Sequence, residues 1–237
     1  MTQDSRINLF RTRPHDCSYL PQKQATTLFV DPDAPVDQSL YSELSRRGFR
    51  RNGPHLYRPF CENCEQCIPA RVKTNAFQAN RTQRRCIKAN ADLTVSIVDS
   101  IASDEYYRLY EQYIILRHQD GDMFPPSRQQ YDEFLSAQWQ LTRFLEFRDG
   151  QTLKAVAVID QLDDGLSAIY TFFDAEDSKR SLGRYAILWQ IEHARQQGLP
   201  YVYLGYWIQS CQKMRYKTEY QPCELLIRNH WLDAKPD

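Results

Sequence analysis

The chain has 237 residues, 42% of them hydrophobic, with 30 Lys+Arg against 30 Asp+Glu, enough for one large domain or two small ones around a real core. No stretch approaches the apolar length of a membrane span, and the opening MTQDSRINLF lacks the basic-then-apolar order of a secretory signal. Seven cysteines in such a chain point to cytosolic thiol or metal chemistry, not a disulfide framework, so a cytoplasmic protein is expected. The balanced charge hides a polarity. Residues 46–88 hold eleven Lys+Arg against two Asp+Glu, residues 89–178 six against seventeen, and residues 179–237 nine against five. Two basic regions flanking an acidic middle can grip a polyanion locally, although such runs also occur as plain solvated faces.

In chain order, Cys17 sits between two prolines in a segment too irregular for a helix, and the apolar run Leu28 to Val30 stops at Asp31-Pro32. SLYSELSRRGF predicts a helix capped by Ser39, with Leu40 and Leu44 on one face and Gly48 as its stop. Arg46, Arg47, Arg50 and Arg51 cluster at that end, where cations complement the helix dipole. The run LYRPFCENCEQCIPARV follows. Its Cys61-x-x-Cys64-x-x-Cys67 spacing lets three thiolates converge on zinc or an iron–sulfur cluster, with Cys17 as a fourth ligand; reduced structural or redox thiols are the alternative. In NRTQRRCIK, Arg81, Arg84, Arg85 and Lys88 share one helical face, and no carboxylate occurs between Ile68 and Ala91. Such a stripe suits a nucleic-acid backbone.

Past residue 88, LTVSIV predicts a strand, and Ser103 caps a helix with an acidic first turn and a face of Tyr106, Tyr110, Tyr113 and Ile114. The loop RHQDGDMFPPS is rich in breakers and is a candidate lid; its lone His118 is a poor candidate catalyst. A helix is expected from Ser127 to about Gln138. LTRFLEF, TLKAVAVID and LSAIYTFF, punctuated by Asp149-Gly150 and Asp163-Asp164-Gly165, predict an antiparallel meander. A helix from Arg184 to Gln197 stops at Gly198, and CELLIR closes the sheet.

Between them lies YVYLGYWIQSCQKMRYKTEY, residues 201 to 220. It reads as a strand buried on both faces that breaks at Gly205 and sets Tyr206 and Trp207 at its carboxyl end, followed by Lys213, Arg215 and Lys217 on alternate positions. Ligands dock beyond the carboxyl ends of strands in open α/β sheets. Alternate cations on a strand point the same way, so an apolar wall beside a cationic comb is expected there; a core strand with a solvated basic turn is the plainer alternative.

This order of a helix pair, a meander and a β-α-β ending is similar to that of the GCN5-related acyltransferases. The expected fold class is therefore α/β (α+β): a mixed acyltransferase-like sheet at residues 89–237, with a small cysteine-bearing basic module at residues 1–88. In that fold the loop opening the helix after the fourth strand binds donor phosphates through backbone N–H groups. Here it is SKRSLG, with Ser181, a single glycine (Gly183), and Lys179 and Arg180 alongside. The second glycine of the coenzyme A loop is missing, which argues for another phosphate-bearing donor.

With PHDCSYLP, YRPFCENCEQCIPARV, SLGRYAILWQIEHAR and YLGYWIQSCQKMRYKTEYQP, the chain resembles the bacterial aspartate/glutamate leucyltransferases, relatives of the eukaryotic arginyl-tRNA–protein transferases, from about Arg13 to about Ile227. The resemblance implies transfer of leucine from leucyl-tRNA to an N-terminal Asp or Glu, tagging the protein for N-end rule degradation. Arginyl transfer, acyl-CoA N-acetyl transfer and a non-catalytic metal-stabilised RNA-binding module are the alternatives. The eukaryotic C-x-x-C motif is broken here by Leu20, so Cys17 and Cys67 match the relatives while Cys61 and Cys64 are local substitutes. The chemistry itself requires no cofactor: the donor is an activated ester and the nucleophile an α-amine of pKa about 7.7–8.0, leaving positioning, loss of an amine proton and oxyanion stabilisation. Asp174, at the end of the third meander strand, is the candidate for orienting or deprotonating the amine, or else a cap for the loop. Tyr206 and Trp207 would line the leucyl or terminal-adenosine pocket, and Lys213, Arg215 and Lys217 would hold the acceptor carboxylate or a tRNA phosphate. Lys179, Arg180 and the Arg81–Arg84–Arg85 stripe are assigned to the tRNA backbone. A monomer is expected.

Overall fold

The computed structural model describes residues 7–135 and 140–235. The chain opens with four short strands, β1 (Leu9–Arg11), β2 (His15–Asp16), β3 (Gln24–Ala25) and β4 (Thr27–Val30), then helix α1 (Gln38–Arg46) and strands β5 (Arg50–Asn52) and β6 (His55–Pro59). β1, β4, β6 and β5 form one small sheet in that order, and β2 pairs with β3. The N-cap of α1 is Asp37, whose carboxylate accepts from the Leu40 N–H at 2.8 Å, not Ser39. An acceptor two residues earlier lets the helix begin sooner. Gly48, at φ +84°, ends the turn as expected, and a methyl group there would lie 2.7 Å from the Pro69 ring.

The chain continues through β7 (Ile68–Lys73), α2 (Arg81–Ala89), β8 (Thr94–Val98), α3 (Asp104–Arg117) and α4 (Arg128–Leu135). The expected end of α4 near Gln138 lies outside the described residues. Then come β9 (Thr142–Asp149), β10 (Thr152–Gln161), β11 (Gly165–Phe173), α5 (Leu182–Gln196), β12 (Tyr201–Trp207), α6 (Gln212–Arg215), a 3₁₀ turn (Tyr216–Glu219), β13 (Cys223–Ile227) and β14 (His230–Asp233). Eight strands form one mixed sheet, in the order β14-β13-β7-β12-β11-β10-β9-β8. The predicted meander β9-β10-β11 is antiparallel, and β11 runs parallel to β12 across the α5 crossover.

β7 lies between β12 and β13, so β13 reaches the sheet through a strand from before residue 88 and β14 forms the edge. Residues 1–88 therefore split: β1 to β6 build their own sheets, while β7 belongs to the large one. A buried network also ties the two parts. Arg51 on β5 donates to both carboxylate oxygens of Asp160 on β10 (2.6 and 3.1 Å), and Tyr41 and Thr142 donate to the same carboxylate (2.8 and 2.6 Å).

Strand periodicity sorts the core. On β10, Ala155, Ala157 and Ile159 face α5, whereas Val156 and Val158 face the tyrosine-rich side of α3 and α4. A register shift between Leu153 and Ala155 puts Leu153 on the α3 side too. The tyrosine stripe of α3 is core on that face, with Tyr110 and Ile114 wholly buried. Among the described residues no helix is long and apolar enough to cross a membrane.

Candidate functional site

Parallel pairing of β11 and β12 lasts three residues, Gly165 to Ser167 against Tyr201 to Tyr203. Beyond that, β11 stays with β10 as far as Phe173, while β12 stays with β7 as far as Trp207, so the two strands splay toward their carboxyl ends. A splay between parallel strands exposes backbone carbonyls that need donors. One side chain enters from outside the large sheet to supply them. Arg50, from β5, donates from Nη1 to the Ser167 hydroxyl (3.0 Å) and the Tyr203 carbonyl (3.4 Å), and from Nη2 to the Ala168 carbonyl (2.5 Å). β12 does not break at Gly205. It bulges there, at φ +82°, and a methyl group on Gly205 would lie 3.1–3.2 Å from Nε, Cζ and Nη2 of Arg50. The glycine marks a close approach of backbone to guanidinium.

Around this apex stand Tyr19, Tyr57, Tyr206, Tyr216 and Lys217, all of which feel the charge of Arg50. Tyr19 and Tyr216 are partly open to solvent, at 38% and 37%. Lys217 is buried, with its ammonium 4.7 Å from the Tyr216 ring centroid and 3.4 Å from the Met214 sulfur. Burial first, then the positive charge of Arg50, hold its pKa down to about 7, with a weak opposing pull from Cys211. No carboxylate bears on Lys217 or on Tyr57. The apex of the splay is a cationic, tyrosine-walled notch; Glu219, the carboxylate that bears on Tyr216, is paired with Arg184 at 3.1 Å.

The other predicted residues are distributed differently. Lys213, Arg215 and Lys217 are not a comb on a strand: they fall on α6 and the 3₁₀ turn, where residues two apart point to different sides. Lys213 pairs with Asp120 at 2.7 Å in the open, Arg215 is exposed, and Lys217 turns inward. Tyr206 is buried, and its hydroxyl donates to the Gly48 carbonyl at 2.9 Å, pinning β12 to the end of α1. Trp207 is half-buried and donates to the Arg215 carbonyl at 3.1 Å.

Asp174 pairs with Lys154 at 2.8 Å and accepts from the Glu176 N–H at 3.1 Å. Burial pushes its carboxyl up, but Lys154 and the loop N–H groups outweigh that and leave it below the usual range. It is a committed carboxylate capping its loop, a poor match for proton abstraction near neutral pH. Arg180 is likewise taken, by Asp92 (2.7 Å), Asp149 (3.1 Å) and Asp177 (3.2 Å). Carboxylates from three separate parts of the chain thus occupy the cation that was assigned to the tRNA backbone. Lys179 is exposed, Ser181 opens α5 at φ +53° without a side-chain cap, and Gly183 packs against the Phe173 ring, where a methyl group would come within 3.0 Å. The α2 stripe keeps its character: Arg81, Arg84, Arg85 and Lys88 are exposed, behind a capping box of Asn80 and Gln83. The predicted lid loop is tethered by Lys213 to Asp120 and by the Ser18 hydroxyl to Asp122 (2.9 Å); its His118 lies 3.1 Å from the Tyr113 hydroxyl, and burial lowers its pKa.

Cys17, Cys61, Cys64 and Cys67 are free, half-buried thiols. Burial, and then the proximity of Cys17, Cys61, Cys64 and Cys211, push the Cys67 thiol up to about 12. Among the described residues no three His, Cys, Asp or Glu side chains converge closely enough to hold one ion. A hollow of about 170 Å³ beside Cys64, lined also by Arg11, Lys23 and Glu62, contains none of the residues at the notch.

Sequence reasoning missed Arg50, Ser167, Tyr19 and Tyr57. A signal was present for the first: a lone glycine amid the aromatics of a buried strand marks something large packed on the backbone.

Residues 105–227 match the family model described as Arginine-tRNA-protein transferase, C terminus, and residues 15–85 match its N terminus counterpart. The chain is 58% identical to the aspartate/glutamate leucyltransferase of Teredinibacter turnerae, over 98% of this chain and 96% of that protein. It is 57% identical to that of Saccharophagus degradans, over 98% and 99%. Among solved structures, L-PGS from Bacillus licheniformis aligns with 62% of this chain and 47% of its own, at 12% identity and a TM-score of 0.47.

Proposed function

The chain belongs to the arginine-tRNA-protein transferase family, and from that premise we propose that it transfers leucine from leucyl-tRNA to the α-amine of a protein's N-terminal Asp or Glu. The observation that carries this reading is near-full-length identity to relatives named for leucyl transfer to those two residues. Arginyl transfer is the second reading, favoured only by the wording of the family description.

The reaction makes a C–N bond and breaks a C–O bond. The amine lone pair attacks the leucyl ester carbonyl, the tetrahedral intermediate collapses, and the terminal ribose hydroxyl leaves with a proton. A terminal α-amine with a pKa of about 7.7–8.0 is partly neutral at physiological pH, so alignment matters more than a strong base. The splay between β11 and β12 supplies a cleft at the carboxyl ends of parallel strands. The partly exposed rings of Tyr19 and Tyr216 offer stacking faces for a terminal nucleoside, and the α2 cations suit the tRNA backbone. No step passes through the cysteines.

The test offers leucyl-tRNA and arginyl-tRNA with peptides beginning in Asp, Glu, Lys or Ala, read by mass spectrometry. The expected product is one added leucyl residue on the Asp and Glu peptides alone. Arginyl addition would shift the reading to the second donor, and no addition at all would overturn it.

A further inference from the structure

We propose that the Arg50 guanidinium, with Lys217 as a second cation of the same notch, receives the side-chain carboxylate of the acceptor's first residue and so sets the preference for Asp and Glu; this rests on the transferase reading above. An arginine side chain has five N–H donors. Three are used, by Ser167, Tyr203 and Ala168, and these fix the plane of the guanidinium. Nε–H and one N–H of Nη2 remain to hold a carboxylate with two charge-assisted bonds. Among the described residues nothing accepts from them. Gly205 lies against the face of the guanidinium, where a methyl group would come 3.1–3.2 Å from Nε, Cζ and Nη2 alike, so the glycine lets the strand pass without displacing the side chain. Arg50 is half-buried, hence reachable, and it sits at the apex of the cleft.

Charge makes the same point independently. A guanidinium and a buried amine share the notch, and among the described residues no carboxylate bears on Lys217. A guanidinium beside an amine of pKa about 7 favours an arriving anion, which would also draw the amine into its protonated form. By contrast, the exposed Lys213 is matched by Asp120 and Arg180 by three aspartates. A carboxylate on a short side chain suits the notch because its α-amine would then lie within the same cleft, beside the incoming ester.

The experiment compares wild type, Arg50→Gln and Lys217→Met with leucyl-tRNA and peptides beginning in Asp, Glu or their uncharged isosteres Asn and Gln. It measures kcat/KM, inhibition by the uncharged peptides, and KM for leucyl-tRNA, with thermal unfolding as a check on folding. Loss of a charge-assisted double bond should lower the Asp-over-Asn ratio about 30-fold or more in Arg50→Gln. Lys217→Met should lower it several-fold, and KM for leucyl-tRNA should stay near wild type in both. A folded Arg50→Gln protein that retains the wild-type ratio within threefold would make Arg50 a structural tie and overturn the proposal. So would a weakened KM for leucyl-tRNA with the ratio intact, which would assign the anion to a tRNA phosphate. If Arg50→Gln does not fold, Lys217→Met decides by the same ratio: a several-fold fall supports the proposal, and a ratio held within threefold overturns it. A wild-type enzyme that leucylates neither Asp nor Glu peptides would instead defeat the transferase reading itself, and this inference with it.

Discussion

Replacing Lys217 by methionine should stabilise the protein, and by more at neutral than at alkaline pH. The ammonium is buried against Met214 and the Tyr216 ring with no carboxylate partner, and its pKa falls from 10.5 to about 7. Above about pH 10.5 both folded and unfolded chains hold a neutral amine there, so the residue costs nothing through ionisation. As pH falls from 10.5 toward 7 the unfolded chain takes up the proton while the folded one does not, and folding is progressively penalised. Below about 7 both are protonated and the penalty levels off. At about 1.4 kcal/mol per pH unit, the full effect is on the order of 5 kcal/mol. Methionine is of similar length, remains apolar at every pH and removes the penalty. Urea unfolding of wild type and Lys217→Met at pH 6, 7, 8, 9 and 10 reads it directly. Subtracting the two curves cancels every other titrating group. The difference in unfolding free energy should be greatest at pH 6–7 and shrink steadily toward pH 10. A difference independent of pH, or a variant less stable at pH 7, would refute the reasoning that a buried amine without an ion-pair partner occupies the notch.

Other perturbations test separate parts of the molecule. Arg51→Met strands the Asp160 carboxylate in the core between the N-terminal sheet and β10, and should lower unfolding free energy by about 3–5 kcal/mol; a loss under about 1 kcal/mol would show that the network is not what joins the two parts. Charge reversal at Arg81, Arg84 and Arg85 should weaken tRNA binding and flatten the dependence of log K on log salt by roughly 0.7–0.9 for each phosphate no longer neutralised, and an unchanged slope would remove α2 from the interface. Asp174→Asn breaks the pair with Lys154 and should cost about 1–2 kcal/mol of stability while turnover stays within a few-fold of wild type. A hundred-fold loss of kcat in a folded Asp174→Asn protein would restore Asp174 as a catalytic group.

Several elements were legible because a local rule dictated them. The meander follows from Asp149-Gly150 and Asp163-Asp164-Gly165 between alternating strands, α5 ends at Gly198, and the α2 stripe is exposed because nothing but cations and polar residues occupies that face. The misreadings were of another kind. Lys213, Arg215 and Lys217 alternate as a strand would, yet the polar pair Gln209 and Ser210 follows the end of β12, and the backbone turns into a helix. Asp174 reads as either an amine-orienting group or a loop cap, and Arg180 as a tRNA-backbone contact, because their partners, Lys154, Asp92 and Asp149, come from other elements.

What the sequence determined alone was most of the helices and strands beyond residue 88 and the family, since these rest on neighbours in the chain and on long shared motifs. Tertiary structure decided which charges stay unpaired. Pairing depends on distance in space, and β7 joining the large sheet between β12 and β13, with Arg50 of β5 entering the splay beside Ser167 and Gly205, brings together positions more than a hundred residues apart.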